Sequence, residues 1–164
     1  MIQLILSNRF YAQFAVMLIV TVLAIRKGGG PERAAAWTIL SMFMLDRVNH
    51  WGFGSGITLL SVDLVHATLD SFAAVFLVVI ALRANRMYTL WIAGFQLISL
   101  SSHVARELTG TMSPLAYLIM AVFPSYLQIL TLGLGLWSHR RRLQQRGPYK
   151  DWRMSRPQGA RSMP

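Results

Sequence analysis

The chain has 164 residues, 54% of them hydrophobic and 13% charged, with a mean hydropathy of +0.45. A single small soluble domain has too little interior for so much apolar surface, so the composition points to an all-α integral membrane protein. The absence of cysteine excludes disulfides, thiolate metal sites, iron–sulfur clusters, covalent c-type haem and lipid attachment through Cys.

Crossing a hydrocarbon core takes about 20 helical residues. Helices are expected because each backbone polar group in lipid must be satisfied within its own segment, and the apolar runs lack the alternation of barrel strands. Five spans are predicted, at 8–26, 34–52, 60–82, 88–106 and 114–138. The first has Arg9 as its only early charge and runs into "AIRKGGGPER", with no small-x-small cleavage site, so it reads as a mature helix and not a removable signal. The second ends in "MFMLDRVNHWGFGSG", which sets Asp46, Arg47, Asn49 and His50 directly behind large apolar residues. The third opens with Asp63, His66 and Asp70, which fall within a narrow arc at 100° per residue. The fourth carries a stripe of Gln96, Ser99, Ser102, His103 and Arg106, with Glu107 beside it. Pro124 removes one hydrogen bond from the fifth and should kink it, with Ser125, Tyr126 and Gln128 available to answer freed carbonyls. Trp37, Trp51, Trp91 and Trp137 each lie close to a span end, as interfacial aromatics do.

Short cytoplasmic connections retain positive charge. Arg26, Lys27 and Arg33 follow the first span, Arg83 and Arg86 the third, and eight further basic residues the fifth, so 13 of the 16 Lys and Arg fall on one side. This predicts an N-out, C-in protein, multi-pass in the plasma membrane of a bacterium, with the transmembrane domain over 1–139. The tail over 140–164 is basic, interrupted by Pro and Gly and without apolar period, and is expected to be disordered in the cytoplasm. It should touch anionic lipid of the bilayer. It contains no nucleic-acid-binding motif, and His139 reads as a solvated residue beside "RRR". Helices 2 and 4 both end in polar groups, yet no internal repeat is evident.

With that topology the intramembrane polar groups collect near the outer face. Stripes on three helices face a bundle interior or an aqueous cavity, not lipid. The second and third spans read D-x-x-x-H and then H-x-x-x-D, and both pairs are centred on Thr58. A hairpin turning there sets His50 level with His66, and Asp46 level with Asp70 about 6 Å deeper. Three imidazoles and one or two carboxylates suit Zn²⁺ or non-haem Fe²⁺. The four acids Asp46, Asp63, Asp70 and Glu107 exceed the cations Arg47 and Arg106 by two charges, which a divalent metal would balance. The metal set would be His50, His66, His103 and Asp70, with Asp46 and Asp70 as the catalytic carboxylates of a metal-dependent enzyme at the outer interface. No HExxH motif supports this. Three other readings fit the same residues: a structural polar network gluing three helices, a haem b between His66 and His103, and a proton or ion site.

Overall fold

The computed structural model describes residues 2–53, 64–109 and 113–153, with side chains described for 11–49, 65–109, 113 and 115–153. The described residues form five helices and no strand: α1 (Ile2–Lys27), α2 (Gly30–Phe53), α3 (Leu64–Arg83), α4 (Tyr88–Thr109) and α5 (Pro114–Arg146). The boundaries follow local chemistry. Gly28 and Gly29 separate α1 from α2, which then opens on Pro31 and Glu32, a ring pre-set for the first turn and an acid at the positive end of the helix dipole. Ser113 caps α5 by accepting from the Ala116 amide, with Pro114 directly behind it.

Each helix packs on the next in the chain, and α1 also packs on α5, so the five close into a ring. The most extensive contact joins α4 and α5. The apolar centre is built from Met17, Ile39, Leu77, Ile92, Ile129 and Leu132, with alanines at 24, 35, 36, 81 and 93 letting the backbones approach closely. Around this centre, polar side chains are also buried and large apolar ones exposed. Asp70, Gln96, Ser99, Ser102, His103 and Gln128 are buried, whereas Phe72, Val75, Phe76, Leu134 and Trp137 are each more than half exposed. Two helices, over Val65–Arg83 and Leu115–Arg146, are long and apolar enough to cross a membrane.

Two sequence expectations are corrected. The fifth helix does not stop at 138: α5 continues to Arg146, and the chain then turns at Gly147, whose φ of 75° suits glycine and whose amide bonds the Leu143 carbonyl. Residues 148–153 fold back onto the α3–α4 connection, where Asn85 N–H donates to Asp151 O (3.0 Å), Arg153 N–H donates to Arg83 O (2.8 Å), and Trp152 bridges Ala84. Charge counting missed this because three residues that it passes over, Tyr149, Asp151 and Trp152, take part in the docking. Residues 154–164 lie outside the described residues. The second correction concerns the α2–α3 register. His66 Nε2 lies 2.5 Å from Asp46 Oδ1, so an acid faces an imidazole, and Asp46 is not set level with Asp70. Two carboxylates at one depth repel, and pairing each with a histidine removes that cost.

Candidate functional site

At the end of the bundle where α2 and α4 finish, Asp70 organises a layer shared by α3, α4 and α5. Its Oδ1 accepts from Gln96 Nε2 (2.8 Å), and its Oδ2 accepts from Ser99 Oγ (3.0 Å) and from His103 Nε2 (2.9 Å). The donors sit at i, i+3 and i+7 of α4, one face of that helix. On the far side of the imidazole, Tyr117 Oη lies 3.0 Å from His103 Nδ1, and the Arg106 guanidinium stacks over the Tyr117 ring at 4.5 Å. With the carboxylate ionised and the imidazole neutral, the ring proton belongs on Nε2 and Tyr117 donates to Nδ1. Gln96 Oε1 accepts from Gln128 Nε2 (2.8 Å), which extends the layer onto α5. Ser99 Oγ also lies 3.1 Å from Ala121 O, an alternative acceptor for its one hydroxyl proton, and Ser125 Oγ donates to Val122 O in the turn before Pro124.

Asp46 and His66 form a second acid–imidazole pair between α2 and α3, each about one quarter exposed. His66 and Asp70 are four residues apart on α3, a rise of about 6 Å. The layer therefore runs from a partly open pair to a buried one. Asn49 is buried near the end of α2, and Arg47 and Glu107 are exposed. The side chain of His50 and all of Asp63 lie outside the described residues. Among the described residues no three His, Asp or Glu side chains come together in a way that could hold a metal ion. The expected ligands divide instead into the pairs Asp46–His66 and Asp70–His103. Both nitrogens of His103 are occupied, so iron or zinc could bind that ring only by displacing Tyr117 or Asp70.

A second cluster, which sequence reasoning missed, occupies the opposite end. Arg86, in the α3–α4 connection, is buried with Glu32 of α2, the one 3% and the other 0% exposed at the side chain. Its Nε donates to Glu32 Oε1 (3.1 Å), and its Nη2 donates to Asp151 Oδ1 (2.6 Å) and reaches His139 Nδ1 (3.2 Å). Tyr88 Oη donates to the same Glu32 oxygen, and Tyr149 stacks on the guanidinium at 4.1 Å while its hydroxyl meets His139 Nδ1 at 2.7 Å. Glu32 Oε2 is enclosed and has no hydrogen-bond partner among the described residues. Burial works against the charge on Arg86, but attraction to Glu32 and their hydrogen bond outweigh it, so its pKa rises above the ordinary arginine value. Asp151 Oδ2 accepts from the Gly30 amide (2.9 Å) at the start of α2. The glycines there are required by space: a Cβ on Gly29 would meet Asp151 Oδ1 at 2.6 Å, and one on Gly30 would meet Trp152 Nε1 at 2.6 Å. His139 is thus buried and doubly bonded, contrary to the solvated reading.

Comparison of the chain with protein-family models, with curated proteins and with solved structures returned no match.

Proposed function

We propose that this chain is a five-span membrane protein, N-out and C-in, and that its outer layer is a non-catalytic proton-exchanging site coupled to the packing of α3, α4 and α5. Membrane embedding is supported by the large apolar side chains exposed around the bundle, by the two helices long and apolar enough to span, and by the 13 of 16 basic residues that follow the first, third and fifth helices. The observation that carries the site reading is the occupancy of His103. An acid on one ring nitrogen and a phenol on the other hold two protons in a line of hydrogen bonds, with no ring electron pair left for a metal or haem iron. Access from outside runs through Asp46 and His66, the partly exposed pair one turn along α3. The groups that bear on Asp70 are His66 on its own helix, Asp46 on α2, His103 and Arg106 on α4, and Tyr117 on α5.

The test combines two measurements on the full chain purified in detergent. Infrared difference spectra across a pH jump should contain a carboxyl signal that disappears in Asp70→Asn and is altered in His103→Gln, while the folded protein survives both changes. Elemental analysis after expression with zinc and iron supplied, and without chelators, should find no stoichiometric metal. One zinc or iron per chain, lost in Asp70→Asn and in His66→Ala, would instead restore a metal-dependent enzyme built on His50, His66, His103, Asp46 and Asp70. A Soret band would point to haem b.

A further inference from the structure

Beside the Arg86 cluster, a cavity of about 730 Å³ opens between the start of α4 and the end of α5. Its polar floor comprises Arg86, His139, Arg142 and Arg153, and no acid of the described residues lines it. Arg86 is already balanced by Glu32 and Asp151. Arg142 stacks on Tyr149 at 5.1 Å, and among the described residues no carboxylate pairs with either Arg142 or Arg153. Residues 154–164 contain Arg156 and Arg161 and no Asp or Glu. The cavity presents donors and uncompensated positive charge to whatever occupies it.

Its upper walls are different in kind. Trp91 of α4 and Trp137 of α5 line it and are each more than 60% exposed, and Leu134, also lining it, is 56% exposed. Along α5, Leu134 and Trp137 precede His139 and Arg142, and on α4 Trp91 lies further into the helix than Arg86, so the apolar lining is on the side of the bundle centre and the basic lining on the side of the helix ends, an order that matches an amphiphile with an anionic head and a hydrocarbon tail. A soluble phosphate would use the floor and leave the rim unexplained. We propose that this cavity binds the phosphate headgroup of an anionic phospholipid of the cytoplasmic leaflet, with an acyl chain lying against Trp91, Leu134 and Trp137. The proposal rests on the membrane orientation above and is independent of the proton site.

The experiment is native mass spectrometry of the full chain released from detergent in volatile salt, with phosphatidylglycerol, phosphatidylcholine or inorganic phosphate added. At an ionic strength near 0.15 M, where charges are screened beyond about 8 Å, wild type should retain phosphatidylglycerol in preference to phosphatidylcholine. Arg142→Gln with Arg153→Gln should weaken that retention roughly 30-fold, the effect of two cations at a headgroup. Arg140→Gln with Arg146→Gln removes the same charge outside the cavity lining and should leave it within about threefold. Thermal melts of both double variants establish that folding is intact. Equal losses in the two variants, or no preference for the anionic lipid, would overturn the proposal in favour of a diffuse basic surface. Inorganic phosphate that displaces the lipid completely would assign the floor to a soluble anion instead. Recovery of the protein in the aqueous fraction without detergent would be a failure of the membrane reading, separable from either result.

Discussion

Replacing Arg86 by Gln should be among the most damaging single changes in the molecule. The substitution keeps much of the volume but leaves Glu32, whose side chain is fully buried, with Tyr88 as its remaining hydrogen-bond donor and Oε2 still without a partner. Breaking a buried ion pair from one side costs about 3–5 kcal/mol, since the surviving charge stays desolvated. The bond to Asp151 adds less than its geometry suggests, because that carboxylate is one third exposed and can turn to water. A total near 4 kcal/mol corresponds to a fall of roughly 8–16 °C in melting temperature for a chain of this size.

The assay is thermal unfolding in one detergent, with Arg83→Gln as the control: Arg83 is exposed and ends α3 three residues earlier, so it should shift stability by less than about 0.5 kcal/mol. Glu32→Gln combined with Arg86→Gln should be less damaging than the sum of the single changes, by about 2 kcal/mol or more, because the double variant strands no charge. An Arg86→Gln protein within about 1 kcal/mol of wild type, or strict additivity in the double variant, would refute the buried-pair argument.

Two further outcomes are expected. Truncation after Arg142 should destabilise the protein by about 3 kcal/mol, since it removes the last turn of α5 together with Tyr149, Asp151 and Trp152, whereas truncation after Arg153 should be nearly neutral; melting temperatures of the two truncations decide it. The chain has no native cysteine, so a single Cys at Gly54 should be labelled by a membrane-impermeant reagent from outside and one at Gln158 only from the cytoplasm, the reverse pattern inverting the topology and the sidedness of both clusters.

Five helices were readable because long apolar runs and the basic residues between them are local signals. The α4 face was readable for a similar reason: Gln96, Ser99 and His103 recur at helical spacing within one segment. Their convergence on Asp70 was not, because nothing in a single sequence fixes how far α3 is rotated against α4. The α2–α3 register failed on two-fold arithmetic about Thr58, which treated the hairpin as symmetric and ignored that two facing carboxylates would each seek a histidine. Tyr117 was overlooked as one more aromatic in an apolar run, although it is the residue that closes the far side of His103. The Arg86 cluster escaped for a different reason. Its acids, Glu32 and Asp151, lie 119 positions apart in a chain of 164 residues, each among basic neighbours, where a count of Lys and Arg passes over them. Those two are the acids left over once Asp46, Asp63, Asp70 and Glu107 are assigned to the opposite end, and a search for the partners of each acid in turn would have paired them.

The two polar clusters are separated by the apolar centre of the bundle. Tyr88 and Gln96 are eight positions apart on α4, about 12 Å of rise, and Ile92, Ala93, Ile39, Leu77 and Leu132 fill most of this interval with apolar side chains. Apolar packing of this kind argues against a continuous proton path from Asp70 to Glu32 through the described part of the bundle. Yet the clusters share two rigid elements. Tyr88 and His103 are both on α4, and Gln128 and His139 are both on α5, the pair of helices with the most extensive contact in the ring. Any change in charge at Asp70 that loosens Gln96 from Gln128 alters how α4 meets α5, and the cavity at the other end is formed between these same two helices. Communication between the ends would thus travel through helix packing and not by proton transfer, and lipid retention in Asp70→Asn is the quantity in which it would be seen.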